Sequence, residues 1–171
     1  MSNFLLHILI VLFPLVMANS LHMVIVKRGY FNQLAIPIWQ KGFGANKTIR
    51  GFLFLPVVNA LVLSLLDIVF NLSVYEPILL GLALGIAYLL SELPNSYLKR
   101  GFGIAPGGQH DKHKLLFATF DKIDSAFGVA LTYYLLGYAD LKNASLLFVF
   151  NILVHISVAK ILVGLKIKKG F

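Results

Sequence analysis

The sequence predicts an all-α integral membrane protein of about five transmembrane helices, with the N-terminus outside, the C-terminus cytoplasmic and two long cytoplasmic loops. Three observations predict it. Of the 171 residues 58% are hydrophobic and 13% charged, with a mean hydropathy of +0.83, where soluble domains run at roughly 45–50% apolar and 25% charged. The apolar residues gather into five runs, each near the roughly 20 residues that cross a bilayer as a helix. Lys and Arg fall between alternate runs rather than between all of them. The whole chain, 1–171, reads as a single transmembrane domain.

The five expected spans are 4–26, 51–70, 77–93, 123–138 and 144–165. The first lacks a basic leading region and a clean small-residue cleavage site, and Asn19 and His22 interrupt its end, so it reads as a retained span and not as a signal peptide. The third and fourth are short or glycine-bearing, which makes their ends the hardest to place. The loop after the first span holds Lys27, Arg28, Lys41, Lys47 and Arg50. The loop after the third holds Lys99, Arg100, Lys112 and Lys114, and the tail holds Lys166, Lys168 and Lys169. The other two connections contain only Lys142. The bias of cytoplasmic loops toward Lys and Arg therefore puts both long loops and the tail in the cytoplasm, in a multi-pass protein of the cell membrane whose active site faces that side.

Composition also closes some routes. With no cysteine, disulfides, Cys-ligated zinc and thiolate nucleophiles are excluded. The net charge of +8 suits anionic head groups or phosphate-rich ligands.

Within the first loop, YFNQLAIPIW is amphipathic enough to lie along the interface, with Trp39 at head-group level. The second long loop opens with Glu92, Asn95 and Ser96 at the end of a hydrophobic helix and closes on the carboxylates of FDKIDSAFG. Asp121 and Asp124 are spaced i,i+3, which sets them on one helix face. Paired hard oxygen donors without cysteine suit Mg2+ better than zinc. The plainer alternative makes Asp121 an N-cap and Asp124 an acid favoured by the helix dipole.

Lys47 and Arg50 stand i,i+3 beside Asn46 and Thr48, and Lys99 and Arg100 follow Asn95 and Ser96. Cations mixed with Asn, Ser and Gly at the membrane surface suit phosphates, whereas Lys27, Arg28 and the tail lysines read as membrane anchors. GFGANKT is not a P-loop, because Asn46 precedes the lysine and no strand leads in. Gly107 and Gly108, after Pro106, form a turn that can bring backbone amides to a phosphate. His110 and His113 read as exposed; His7, His22 and His155 read as hydrogen-bonding between helices.

The order NS-x-x-KR, a PGG loop and then D-K-x-DS resembles the signature of the CTP-dependent cytidylyltransferases that make CDP-activated lipids. The residues are Asn95, Ser96, Lys99, Arg100, Pro106, Gly107, Gly108, Asp121, Lys122, Asp124 and Ser125. ANSLH and GANKTIRG, with Asn19, Asn46, Lys47, Thr48 and Arg50, are similar to the short branch of that group, the CDP-archaeol synthase family. After the KR pair the chain has GFGIA, and PGGQH stands where the larger phosphatidate enzymes have a histidine-led glycine pair.

The resemblance implies transfer of CMP from CTP to a lipid phosphate, archaetidic acid or phosphatidate, in phospholipid biosynthesis. It implies Mg2+ on Asp121 and Asp124, with Lys99 and Arg100 joining these two as catalytic residues. Asn46, Lys47, Thr48, Arg50, Asn95, Ser96, Gly107 and Gly108 would hold nucleotide and phosphate groups, and Glu92 would neutralise a nearby cation or join the metal shell. The partners implied are CTP, the lipid phosphate and membrane lipids, not nucleic acid, with a homodimer compatible. Two other functions suit parts of the pattern: a CTP-dependent lipid kinase, which needs a base near a lipid hydroxyl, and a transporter with an intramembrane ion path.

Overall fold

The computed structural model describes residues 3–105 and 114–165, with the backbone alone at 3 and 114–122. These residues form five long helices and one short one: α1 (Asn3–Arg28), α2 (Gln40–Phe43), α3 (Ile49–Phe70), α4 (Pro77–Gly101), α5 (Lys114–Leu135) and α6 (Leu141–Gly164). No strand occurs among the described residues. The nearest feature is an isolated antiparallel bridge between Pro37 and Thr48.

Four helices, α1, α3, α4 and α6, are long and apolar enough to cross a membrane. The expected fourth span falls in α5, which is not among them. Asp121, Lys122 and Asp124 occupy its middle and leave 125–135 as its longest uncharged run. Apolarity on the outside of the bundle marks the protein as one of the membrane. On α3, Leu53, Val57, Leu61, Leu65 and Ile68 form an exposed stripe at helical spacing, while Leu55, Asn59, Leu63 and Leu66 face inward. In water such an outer stripe would have to be covered.

α4 is the hub, packed against α3, α5, α1 and α2. Its contact with α3 depends on two glycines. A Cβ at Gly81 would lie 2.4 Å from the Cα of Ala60, and one at Gly85 would lie 2.5 Å from the Cα of Pro56. Small residues at this seam let two backbones approach, which is how helices gain packing energy where lipid removes the hydrophobic drive. Asn59, fully buried, donates its Nδ2 to the Gly81 carbonyl across the same seam at 2.6 Å.

The helix ends explain where sequence boundaries shift. Thr48 caps α3, its Oγ1 accepting from the Gly51 amide at 3.4 Å. Asp140 caps α6 by accepting from the Asn143 amide at 2.7 Å. Asn71, with φ 47, ends α3, and Asp67 accepts from the Val74 amide at 2.9 Å to hold the turn into α4. α4 runs two turns beyond the expected end at residue 93, straight through Pro94 to Gly101. Proline normally favours a helix end just before it; here packing on both sides of α4 holds the helix, and only the carbonyl of Leu90 loses its i+4 amide.

α5 starts earlier than expected, at Lys114. Asp121 and Asp124 are therefore interior to the helix, and the alternative that makes them cap residues does not hold. The YFNQLAIPIW segment, read as lying along the interface, is mostly irregular. It holds a 3-10 turn at Asn32–Leu34 and then an extended stretch into α2. Ile38 donates its amide to Lys47 O and Ile49 donates to Ile36 O, at 2.9 Å each, which folds the loop back onto the start of α3. Tyr30, Phe31, Ile36 and Trp39 remain exposed, and Trp39 stacks on Tyr97 of α4 at 5.8 Å.

Candidate functional site

Four helix ends meet at one end of the bundle: the C-terminal ends of α1 and α4 and the N-terminal portions of α3 and α5. The polar residues of the sequence motifs collect there. Lys47, just before α3, forms a salt bridge with Glu92 of α4 across 45 residues of chain, with both side chains mostly buried. One turn further along α4, Asn95 donates its Nδ2 to Asp124 Oδ2 of α5 at 3.0 Å. The other carboxylate oxygen of Asp124 accepts from the Ser125 amide at 2.6 Å. One turn down α4, the Tyr88 hydroxyl accepts from Asn19 of α1 at 3.4 Å and stands among Glu92, Asp124 and Ser125.

Other motif residues have structural duties. Arg50 is only 6% exposed, and its Nη1 donates to the Tyr30 carbonyl at 2.9 Å and to Asn32 Oδ1 at 3.2 Å. The guanidinium thus pins the first loop to α3. Thr48 is the α3 cap. Ser96 donates its hydroxyl back to the Glu92 carbonyl at 2.8 Å, a bond that turns it into its own helix. Asn46 is exposed. Lys99 and Arg100 lie on the last turn of α4. Arg100 keeps Nε and Nη1 buried and without a hydrogen-bond partner among the described residues.

Pro106, Gly107, Gly108, His110 and His113 lie outside the described residues, as does the side chain of Asp121. Among the described residues no group of three His, Asp or Glu forms a metal cluster. Asp124 is a single hard carboxylate with Asp121 one turn before it on α5. This donor set suits Mg2+, which takes one or two carboxylates and completes its shell with water and substrate phosphate.

His22 belongs to this site although its spacing alone gave only an interhelical hydrogen bond. Its Nε2 is buried with no partner among the described residues, and its ring shares its surroundings with the charges of Arg50, Glu92 and Lys47. The signal was its place in ANSLH, five residues before Lys27 of the basic pair. The other two intramembrane histidines differ. His7 bonds the Tyr133 hydroxyl through Nδ1 at 3.0 Å near the far end of the bundle, and His155 stacks on Tyr88 at 5.5 Å.

From Asp124 an apolar groove of about 620 Å³ runs between α4 and α5 toward Thr132. Small residues Ala83, Ala87 and Gly128 line it, and exposed Ile86, Phe127 and Leu131 border it. No family model matches the chain, and no match is found among curated proteins or solved structures.

Proposed function

We propose that the protein transfers CMP from CTP to a membrane lipid phosphate, releasing pyrophosphate and giving a CDP-activated lipid. One observation carries the reading. Three segments far apart in sequence, GANKTIRG, NS-x-x-KR and D-K-x-DS, come together through the Lys47–Glu92 and Asn95–Asp124 pairs, and their meeting point opens into a lipid-facing apolar groove. A soluble polyanion and a hydrocarbon-anchored phosphate need a site of that kind.

In the reaction an oxygen of the lipid phosphate bonds to the α-phosphorus of CTP as the bond to pyrophosphate breaks. The attacking phosphate is largely ionised at neutral pH, its second pKa being about 6, so no general base is required. What the chain must supply is position and positive charge. Arg100 and Lys99 at the end of α4 are the groups that would receive phosphate oxygens. Asn95 fixes one oxygen of Asp124 and thereby the direction in which the carboxylate faces. Glu92 holds Lys47 beside the site, and Arg50 and Thr48 shape the loop that encloses it. Asp121 and Asp124 would hold Mg2+, which when bound neutralises triphosphate charge.

The distribution of Lys and Arg supports a cytoplasmic site, an external N-terminus and a cytoplasmic C-terminus. Passage of α5 as a fifth span agrees with its antiparallel run between α4 and α6 and with its buried face of Ala126, Val129, Ala130 and Tyr133.

The test is label transfer by the purified protein with Mg2+ and CTP labelled at either the α- or the γ-phosphate. The acceptors are phosphatidate, digeranylgeranyl ether lipid phosphate and a lipid alcohol. The expected result is α-label on a lipid phosphate and none from the γ position. Label from the γ position on the alcohol makes the protein a lipid kinase, and absence of transfer to every acceptor overturns nucleotidyl transfer in favour of transport.

A further inference from the structure

We propose that the groove between α4 and α5 holds one hydrocarbon chain of the acceptor lipid and reads the part of that chain nearest the phosphate. The inference rests on the lipid-phosphate reading above and identifies where that lipid lies.

Continuity with the site is the first argument. The groove begins at Asp124 and Pro94, and Asp124 is the carboxylate that Asn95 orients. A chain lying in it would present its head group to the Asn95–Asp124 pair, below the last turn of α4 that carries Lys99 and Arg100. Its lining is the second. Ser91 spends its hydroxyl on the Ala87 carbonyl at 2.5 Å, so the middle of the groove offers no unsatisfied donor and suits hydrocarbon. Dimension is the third. Eight residues of helix separate Asp124 from Thr132, about 12 Å at the usual helical rise. Over that length the groove's 620 Å³ averages about 50 Å² in cross-section, enough to take a hydrocarbon chain lengthwise.

The short length has a consequence. A monolayer of hydrocarbon is about 15 Å deep, half of the roughly 30 Å core, so the groove covers the proximal stretch and leaves the chain end in bulk lipid. Branching or unsaturation near the head group is therefore what the groove discriminates, and chain length beyond it is not.

Ala87→Phe and Ala83→Phe fill the groove from α4 without touching Asn95, Arg100 or Asp124. They are assayed with dioleoyl phosphatidate, digeranylgeranyl ether lipid phosphate and dibutanoyl phosphatidate, the last too short to need the groove. The expected result is a loss of about tenfold in kcat/KM for the long-chain acceptor that the wild type uses, carried by KM, with the dibutanoyl compound unchanged. Equal losses on long and short acceptors, or no loss on either, overturn the inference. A second measurement does not depend on turnover. A phosphatidate with a diazirine in the proximal part of one chain should label the peptide that contains Phe127 and Leu131, and Ala87→Phe should suppress that label. Label spread over α1, α3 and α6, or a cross-link between two copies of the chain at this groove, overturns the inference. Wild-type protein that transfers CMP to no acceptor removes the cytidylyltransferase reading, and the photolabel then decides the groove alone.

Discussion

The two sides of α4 face different partners and are built differently. Toward α3 the helix presents Gly81 and Gly85, whose missing side chains let backbone meet backbone. Toward α5 there is one close approach, where Gly128 lies against Ser91 and the Ala87 carbonyl, and beside it the seam opens into the groove. Beyond both seams α4 carries two polar links one turn apart: Glu92 pairs with Lys47, just before α3, and Asn95 hydrogen-bonds Asp124 of α5. The contrast sets a closed seam beside an open one: α3 and α4 meet backbone to backbone, and α5 packs on α4 with a groove beside the contact.

Substitutions can break the sealed side with the largest effect. Gly85→Leu drives a side chain into the Pro56 backbone, where a Cβ alone would lie at 2.5 Å. Backbone atoms cannot rotate aside, so the cost exceeds the about 1–3 kcal/mol of ordinary overpacking. The expected outcome is loss of the monodisperse peak in detergent gel filtration. On the open side, Gly128→Ala meets Ser91 Oγ and Cβ and the Ala87 carbonyl, contacts that α5 relieves by shifting toward the groove. It should leave folded protein with a lower thermal midpoint, by about 1–3 kcal/mol in stability. Equal damage from the two changes would erase the distinction between the seams.

The polar links give the next effect. A double-mutant cycle of Lys47→Met and Glu92→Gln should return a coupling of about 1–3 kcal/mol in unfolding free energy, because the pair is mostly buried. An exposed pair would give less than about 1 kcal/mol. The smallest effect is expected at the start of α3. Thr48→Ala removes the cap and should cost about 1 kcal/mol, read as a lower thermal midpoint.

The spans α1, α3 and α6 were legible because long apolar runs leave few other solutions. The ends of α4 and α5 were not. Pro94 is a local stop signal, and the contacts that override it come from α3 and α5, which a local pattern does not contain. For α5, charges at 121–124 hid a helix that begins at Lys114. The motif residues could be named from their spacing, and Glu92 could be expected beside a cation. That the cation is Lys47, and that Arg50 is committed to Tyr30 and Asn32, depends on how the first loop folds back. That fold is set by the bridge between Pro37 and Thr48, pairing with no signature in composition. His22 and Tyr88 were hidden for a related reason: each borders a long apolar run of its helix, and only the packing of α1 against α3 and α4 makes them part of the cluster.

The most direct measurement compares wild type with Asp124→Asn for transfer of α-labelled CMP to the preferred lipid phosphate, with thermal midpoints matched. Asparagine keeps the size of the side chain and an oxygen for Asn95 to bond while removing the charge. A convergent phosphate and Mg2+ site predicts α-label on the lipid with wild type and a loss of about a hundredfold or more in the variant, with folding retained. Full activity in Asp124→Asn would contradict it.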